Sequence, residues 1–181
     1  MCWTMAELAD VVGGLKARFP GGIVAEDLAA RDPWIQVAPE IWTDAALALR
    51  DTADWRFDTL SDLTAVDWLQ TDPKLAAKFP IRPRIELVAH LASLEHRHRL
   101  VVKIELPRWK GDVPGEIPEV GSVVSVWPIA DWHERECYDL LGIRFVGHPH
   151  LTRILCPEDW VGHPLRKDYQ MPAEYDGIRV S

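Results

Sequence analysis

Paired cysteines, a long apolar run and an excess of basic charge are all missing from this 181-residue chain, and each absence narrows what it does. Cys2, Cys137 and Cys156 never stand in a Cys-x-x-Cys spacing, so neither a disulfide framework nor an iron–sulfur or zinc site is written here, and reduced thiols are expected. No stretch approaches the roughly 18 to 20 apolar residues that cross a bilayer, and Met1-Cys2-Trp3-Thr4 has no basic segment ahead of an apolar one. The expectation is a soluble, intracellular protein. A formal net charge of −8 argues against a nucleic-acid binder, which needs a basic footprint to displace counterions. Gly-x-Gly-x-x-Gly, the P-loop and Gly-x-Ser-x-Gly are also absent, leaving nucleotide binding and serine hydrolysis without a basis. There is no internal repeat.

What is present is enough apolar material, 48% of residues, for one sizeable core. Apolar residues Leu8, Val11, Val12, Leu15 and Phe19 form a helical stripe in Thr4 to Phe19, stopped by Pro20-Gly21-Gly22. Ile23 to Ala30 fixes no period, whereas Trp34 to Val37 reads as a strand. Pro39 opens a second helix running through Leu49 with Ile41, Trp42, Ala45, Ala46 and Leu49 on one face. A short element at Phe57 to Leu60 and a strand at Leu63 to Trp68 follow, then a proline-bearing loop over 70–83. Two alternating runs, Ile85-Leu87-Ala89-Leu91 and Leu100-Val102-Ile104-Leu106, make a hairpin. The predicted fold class is α+β, a mixed sheet of about four strands with helices on one face, followed by an irregular charged C-terminal strap. Residues 1–118 form the α+β domain, 119–170 a helix and extended docking segment, and 171–181 a mobile tail. Val120 to Trp127 is contested between strand and helical turn. The 81–110 stretch is locally basic, with seven positive and three negative side chains, which suits solvated strand faces.

The densest chemistry lies in 131–169. Asp131 with Glu134 reads as an N-cap and its capping-box partner, Arg135 can pair with Asp139 at i,i+4, and Gly142 suits a left-handed C-terminal position. Two Gly-His-Pro turns, Gly147-His148-Pro149 and Gly162-His163-Pro164, then fix the chain path. His148, His150, His163 and Cys156 are candidate metal ligands by type, but their spacing matches no common zinc pattern. Glu134, Glu136 and Asp139 could serve acid–base chemistry, yet with Arg135 among them ion pairing or docking fits better. Cys137 falls on the apolar side of the helix and reads as packing. Trp132 and Trp160 flank the charged segment and suit an interface. A punctuated strap with few apolar side chains needs another surface to lie on, which is expected to be a neighbouring protein held by Arg166, Lys167 and Asp168.

Glu134-Arg135-Glu136-x-x-Asp139-x-x-Gly142-Ile143-x-Phe145-x-Gly147-His148-Pro149-x-Leu151-x-Arg153-Ile154-Leu155, followed by Gly162-His163-Pro164-Leu165-Arg166-Lys167-Asp168-Tyr169, resembles the pattern of the 30 kDa subunit, also called the C subunit, of the proton-pumping NADH:quinone oxidoreductase, respiratory complex I. The resemblance extends upstream to about residue 55. It implies a peripheral-arm subunit without a cofactor of its own, packed on the D subunit, which with the B subunit forms the quinone pocket. The complex would use FMN, iron–sulfur clusters, NADH and a quinone, and the chain would sit on the cytoplasmic side of the cell membrane, attached only through the complex. The resemblance also implies a short helix within 120–127. Candidate interface residues are Trp132, Glu134, Arg135, Glu136, Asp139, His148, Arg153, Trp160, His163, Arg166, Lys167, Asp168 and Tyr169. Alternatives are the equivalent subunit of a membrane-bound hydrogenase or of a relative with another electron donor, and, from a different class, a free-standing enzyme using the carboxylates of helix 131–141.

Overall fold

The computed structural model describes residues 5–179. Cys2, the expected helix start at Thr4, and the last two residues of the tail lie outside the described residues. Helix α1 spans Met5–Arg18 and buries the predicted stripe of Leu8, Val11, Val12 and Leu15. The ambiguous stretch after it supplies a strand, β1 (Ile23–Asp27), which pairs antiparallel with β2 (Trp34–Val37). Its burial alternates only weakly, because an edge strand is covered on little of its surface. Pro39 opens a 3-10 turn, Pro39–Ile41, before the α-helix proper, α2 (Trp42–Asp51). Trp42, Ala45, Ala46 and Leu49 are buried as the spacing predicts.

The two elements expected between 57 and 68 are one strand, β3 (Thr59–Trp68), with a register shift between Leu60 and Asp62 that breaks the alternation. The loop over 70–83 contains a short helix, α3 (Pro73–Lys78), capped by the Asp72 carboxylate accepting from the Lys74 N–H. An Asp-Pro start was its signal. Strands β4 (Arg84–Ala92) and β5 (Arg99–Leu106) form the predicted hairpin, with Leu87 opposite Ile104 and Ala89 opposite Val102. The sheet has five strands in the order β1-β2-β5-β4-β3, and the parallel β2–β5 pairing makes it mixed. The α+β class with a mixed sheet is as expected, the sheet having five strands where about four were read.

A single apolar cluster joins α1, α2 and the inner sheet face to Val120, Val123, Trp127, Cys137, Ile143 and Phe145. The opposite sheet face carries the basic island. There Glu86 lies directly across from Glu105, an arrangement that is unfavourable unless cations intervene. Arg84 sits 3.4 Å from Glu86 and 3.2 Å from Glu105, Arg82 pairs with Glu105, and Lys103 lies 4.0 Å from Glu86. Three cations of the island are thus shared between the two facing carboxylates.

The contested stretch resolves into both readings. A three-residue strand, β6 (Glu119–Gly121), pairs parallel with β7 (Arg144–Val146), and a single turn follows in which the Trp127 N–H donates to Val123 O at 2.8 Å. It is a turn and not the short helix that the resemblance implied. Helix α4 (Ala130–Leu141) packs mainly against β3. The tail is not irregular throughout: β8 (Glu174–Tyr175) and β9 (Ile178–Arg179) form a small hairpin. Tyr175 seats it on Trp160, ring centroids 5.0 Å apart.

Candidate functional site: the α4 helix and its strap

Helix α4 begins two residues earlier than the capping pattern suggested, at Ala130 and not Trp132. Ile129 is its cap, without a side-chain hydrogen bond, and Asp131 lies inside the first turn, where its negative charge favours the N-terminal dipole. Glu134 is therefore not a capping-box partner. Its carboxylate is wholly buried and accepts from the Ser122 hydroxyl at 2.6 Å and the Val123 N–H at 2.7 Å, joining α4 to the turn ahead of it. Burial pushes it up to about 7, against the pull of those two donors, with Asp131 adding a smaller upward push.

Arg135 does not reach Asp139. It donates instead to Thr152 O at 3.2 Å, Thr152 Oγ1 at 3.3 Å and Arg153 O at 3.2 Å, taking up strap carbonyls that would otherwise lack partners. The partner of Asp139 is Arg153, at 2.6 Å. The second carboxylate oxygen of Asp139 accepts from three successive backbone N–H groups, Ile154 at 3.0 Å, Leu155 at 2.8 Å and Cys156 at 2.8 Å. Burial works to raise the Asp139 carboxyl, but these three N–H donors and the guanidinium together outweigh it and hold it down to about 2. Arg153 extends the clamp by donating to Trp160 O at 2.8 Å and Gly162 O at 3.0 Å. One carboxylate on α4 thus organises the strap from 153 to 162.

The second Gly-His-Pro turn closes over the end of the helix. Gly142 takes the predicted left-handed conformation, φ 66°, and a Cβ there would lie 2.4 Å from the His163 ring. His163 Nδ1 donates to Asp139 O at 2.9 Å, and burial lowers its basicity. In the first turn the His148 ring is fully covered. Its Nδ1 accepts from the His150 N–H at 3.0 Å, leaving Nε2–H to donate to Asp131 O at 3.2 Å.

Arg166 then caps the helix C-terminus as a cation should, donating to Leu141 O at 2.7 Å and Gly142 O at 3.1 Å, and to Arg108 O at 2.7 Å. It stacks 3.9 Å over Trp109, and burial with Arg108 nearby lowers it to about 10. Arg108 grips Asp67 with two hydrogen bonds, 2.7 and 2.8 Å, and Asp168 with two more, 2.6 and 3.1 Å. The Lys167 N–H adds a 2.9 Å bond to Asp67. These contacts correct the expectation that the strap needs a partner to hold it down, and that Arg166 and Asp168 reach outward.

Residues 35–175 match the model of the family described as "Respiratory-chain NADH dehydrogenase, 30 Kd subunit". The chain belongs to this family. A relative from Roseiflexus castenholzii, described as the C subunit of an NADH-quinone oxidoreductase, is 40% identical over 91% of this chain and 84% of its own length. One of the same description from Chlorobium phaeobacteroides is 40% identical over 92% and 90%. Among solved structures, one chain of the membrane-bound sulfane sulfur reductase, an archaeal respiratory membrane complex, shares the fold with TM-score 0.67 at 24% identity, covering 92% of this chain and 88% of that one.

In this member of the 30 Kd subunit family the candidate residues divide cleanly. Glu134, Asp139, Arg153, His163 and Arg166 are taken up by contacts within the chain, as are the Lys167 N–H and Asp168. Trp132 is 60% exposed, and Glu136 and the Lys167 side chain face outward. Trp160 is half-buried beneath Tyr175, and Tyr169 packs against Gly162. The histidines and Cys156 do not converge: among the described residues no cluster of three or more His, Cys, Asp or Glu could hold a metal. Cys137 is buried in the core and its thiol is pushed up by burial, as packing requires. Sequence reasoning missed Ser122, Thr152 and Arg108 as contributors. Arg108 meets Asp168 across 60 positions, a separation at which no local pattern gives warning.

Proposed function

We propose that the chain is a structural and assembly subunit of the peripheral arm of a proton-translocating NADH:quinone oxidoreductase, packing on the D subunit beside the B subunit near the quinone-reducing module. The observation that carries this reading is the disposition of the motif's charged groups. Two buried carboxylates and two arginines bind the chain's own backbone and each other, so these motif charges hold the segment together. Beside exposed charges such as Glu136 and Lys167, the same segment turns large apolar side chains outward: Trp132, Leu155, Val161 and Leu165 are 60%, 63%, 84% and 55% exposed. A rigid backbone presenting large apolar side chains suits a docking surface, since little ordering entropy is lost on binding.

On this reading FMN, the iron–sulfur clusters, NADH and quinone are held by other subunits, and the chain itself does not catalyse. No helix among the described residues is long and apolar enough to cross a membrane. Attachment to the cytoplasmic side of the cell membrane then comes through the complex. The description shared by the 40% relatives favours the NADH-linked complex over a hydrogenase or another donor. Affinity purification of the chain at native expression level tests the proposal. The large neighbouring subunits should come with it and carry NADH:quinone reductase activity. A chain that purifies alone and turns over a small substrate would replace this reading with the free-standing enzyme.

A further inference from the structure

Glu134 is the one wholly buried carboxylate of α4 with no cation. Asp139 has Arg153, but among the described residues no Lys, Arg or His forms an ion pair with Glu134. The wall it faces explains this. Residues 120–130 contain no ionisable side chain, and Ser122 and Val123 offer only a hydroxyl and an amide. On its own helix His133 is turned to Asp62 and Arg135 to the strap carbonyls, and the groups that act on it, Asp131 and the buried thiol of Cys137, cannot supply positive charge. The surrounding elements bring none either. From β3, Asp62 is matched by His133 at 3.5 Å; from the 147–149 turn, His148 is turned onto Asp131; from β7, Arg144 lies 3.7 Å from Glu119 of β6.

An ionised carboxylate in such a place is held by two hydrogen bonds against full desolvation. A protonated one keeps both contacts at no such cost: its O–H donates to Ser122 Oγ, and its carbonyl oxygen accepts from the Val123 N–H. We infer that Glu134 is a proton-operated joint between α4 and the Ser122–Val123 turn, closed when the carboxyl is protonated and loosened when it ionises. The elevation of this carboxyl to about 7, caused first by burial, places the change in a range the chain meets near neutrality. The sign follows from linkage. A carboxyl raised in the folded state favours folding below its folded value, and that stability is lost as pH rises from its unfolded value through its folded one. The joint bears on the segment that carries Trp132, so its state sets how firmly the first turn of α4 is presented.

The experiment compares the full chain with Glu134→Gln, an uncharged isostere, by urea unfolding from pH 5 to pH 8. The wild-type folding constant should fall by roughly 70-fold relative to Glu134→Gln across that window, from values near 4.5 unfolded and about 7 folded. Equal pH slopes for the two proteins would overturn the inference. Should Glu134→Gln fail to fold, the Val123 amide resonance and its hydrogen exchange, followed in the wild type, decide instead. The resonance should titrate near neutrality with its protection factor, taken relative to the intrinsic base-catalysed rate, falling at higher pH, and in Ser122→Ala, which removes a donor to the ionised form, the midpoint should move upward. A Val123 amide that does not respond between pH 5 and pH 8, or an unshifted midpoint in Ser122→Ala, would also overturn it.

Discussion

Replacing Arg153 with alanine removes the only cation paired with the buried Asp139 carboxylate among the described residues, and two donors from the strap carbonyls of Trp160 and Gly162. Breaking a buried ion pair by deleting one partner costs about 3 to 5 kcal/mol, because a desolvated charge is left behind. Here the three N–H bonds from 154–156 remain and the Arg153 side chain is 15% exposed, so water can partly replace it. That places the pair itself at the lower end, about 3 kcal/mol, and each orphaned carbonyl adds about 1 kcal/mol at most. With a urea dependence of about 2 kcal/mol per molar, Arg153→Ala should lower the unfolding midpoint by about 1.5 to 2.5 M at pH 7. Arg153→Lys, a cation without the planar fork, should fall between the two. Amide exchange across 158–163 should quicken in the same variants. A midpoint within about 0.3 M of wild type, with strap protection unchanged, would refute the idea that Asp139 and Arg153 organise the strap.

Three further outcomes are expected. Gly142→Ala forces a side chain onto a residue at φ 66° and into the His163 ring, and should cost more than the roughly 1 kcal/mol of left-handed strain alone, read by thermal unfolding. Stability should also fall in acid: Asp139, held down to about 2, contributes about 2 kcal/mol that is present above pH 4 and lost as pH drops through 2, and Asp139→Asn should remove that dependence. Trp132→Ala, at a side chain 60% exposed, should leave the isolated chain's melting temperature within about 1 °C while reducing its recovery in the assembled complex, measured on native gels.

Much of the fold was legible because its strands and helices announce themselves by period. The β4–β5 hairpin, the α1 stripe and the left-handed Gly142 came from local pattern alone. Edge strand β1 was not, since a strand covered on little of its surface has no alternation to read, and α3 was hidden among prolines that also mark loops. The site was legible by composition and illegible by pairing. Charges four residues apart suggested Arg135 with Asp139, yet the arginine that pairs with Asp139 stands 14 residues away, delivered by the first Gly-His-Pro turn. By apolar area alone the strap has too little to hold itself down. Its anchors are instead charge-assisted hydrogen bonds to backbone groups, which a count of apolar side chains does not register.

The central claim is that these residues build and present a surface but do not take part in turnover. It is tested most directly by placing Arg153→Ala in the chain in its native cell and measuring two quantities in the same membranes: the amount of assembled complex, and NADH:quinone reductase activity per assembled complex. The amount should fall while activity per complex stays at the wild-type value. A wild-type amount of complex with its turnover lost would contradict the claim and place Arg153 in the chemistry.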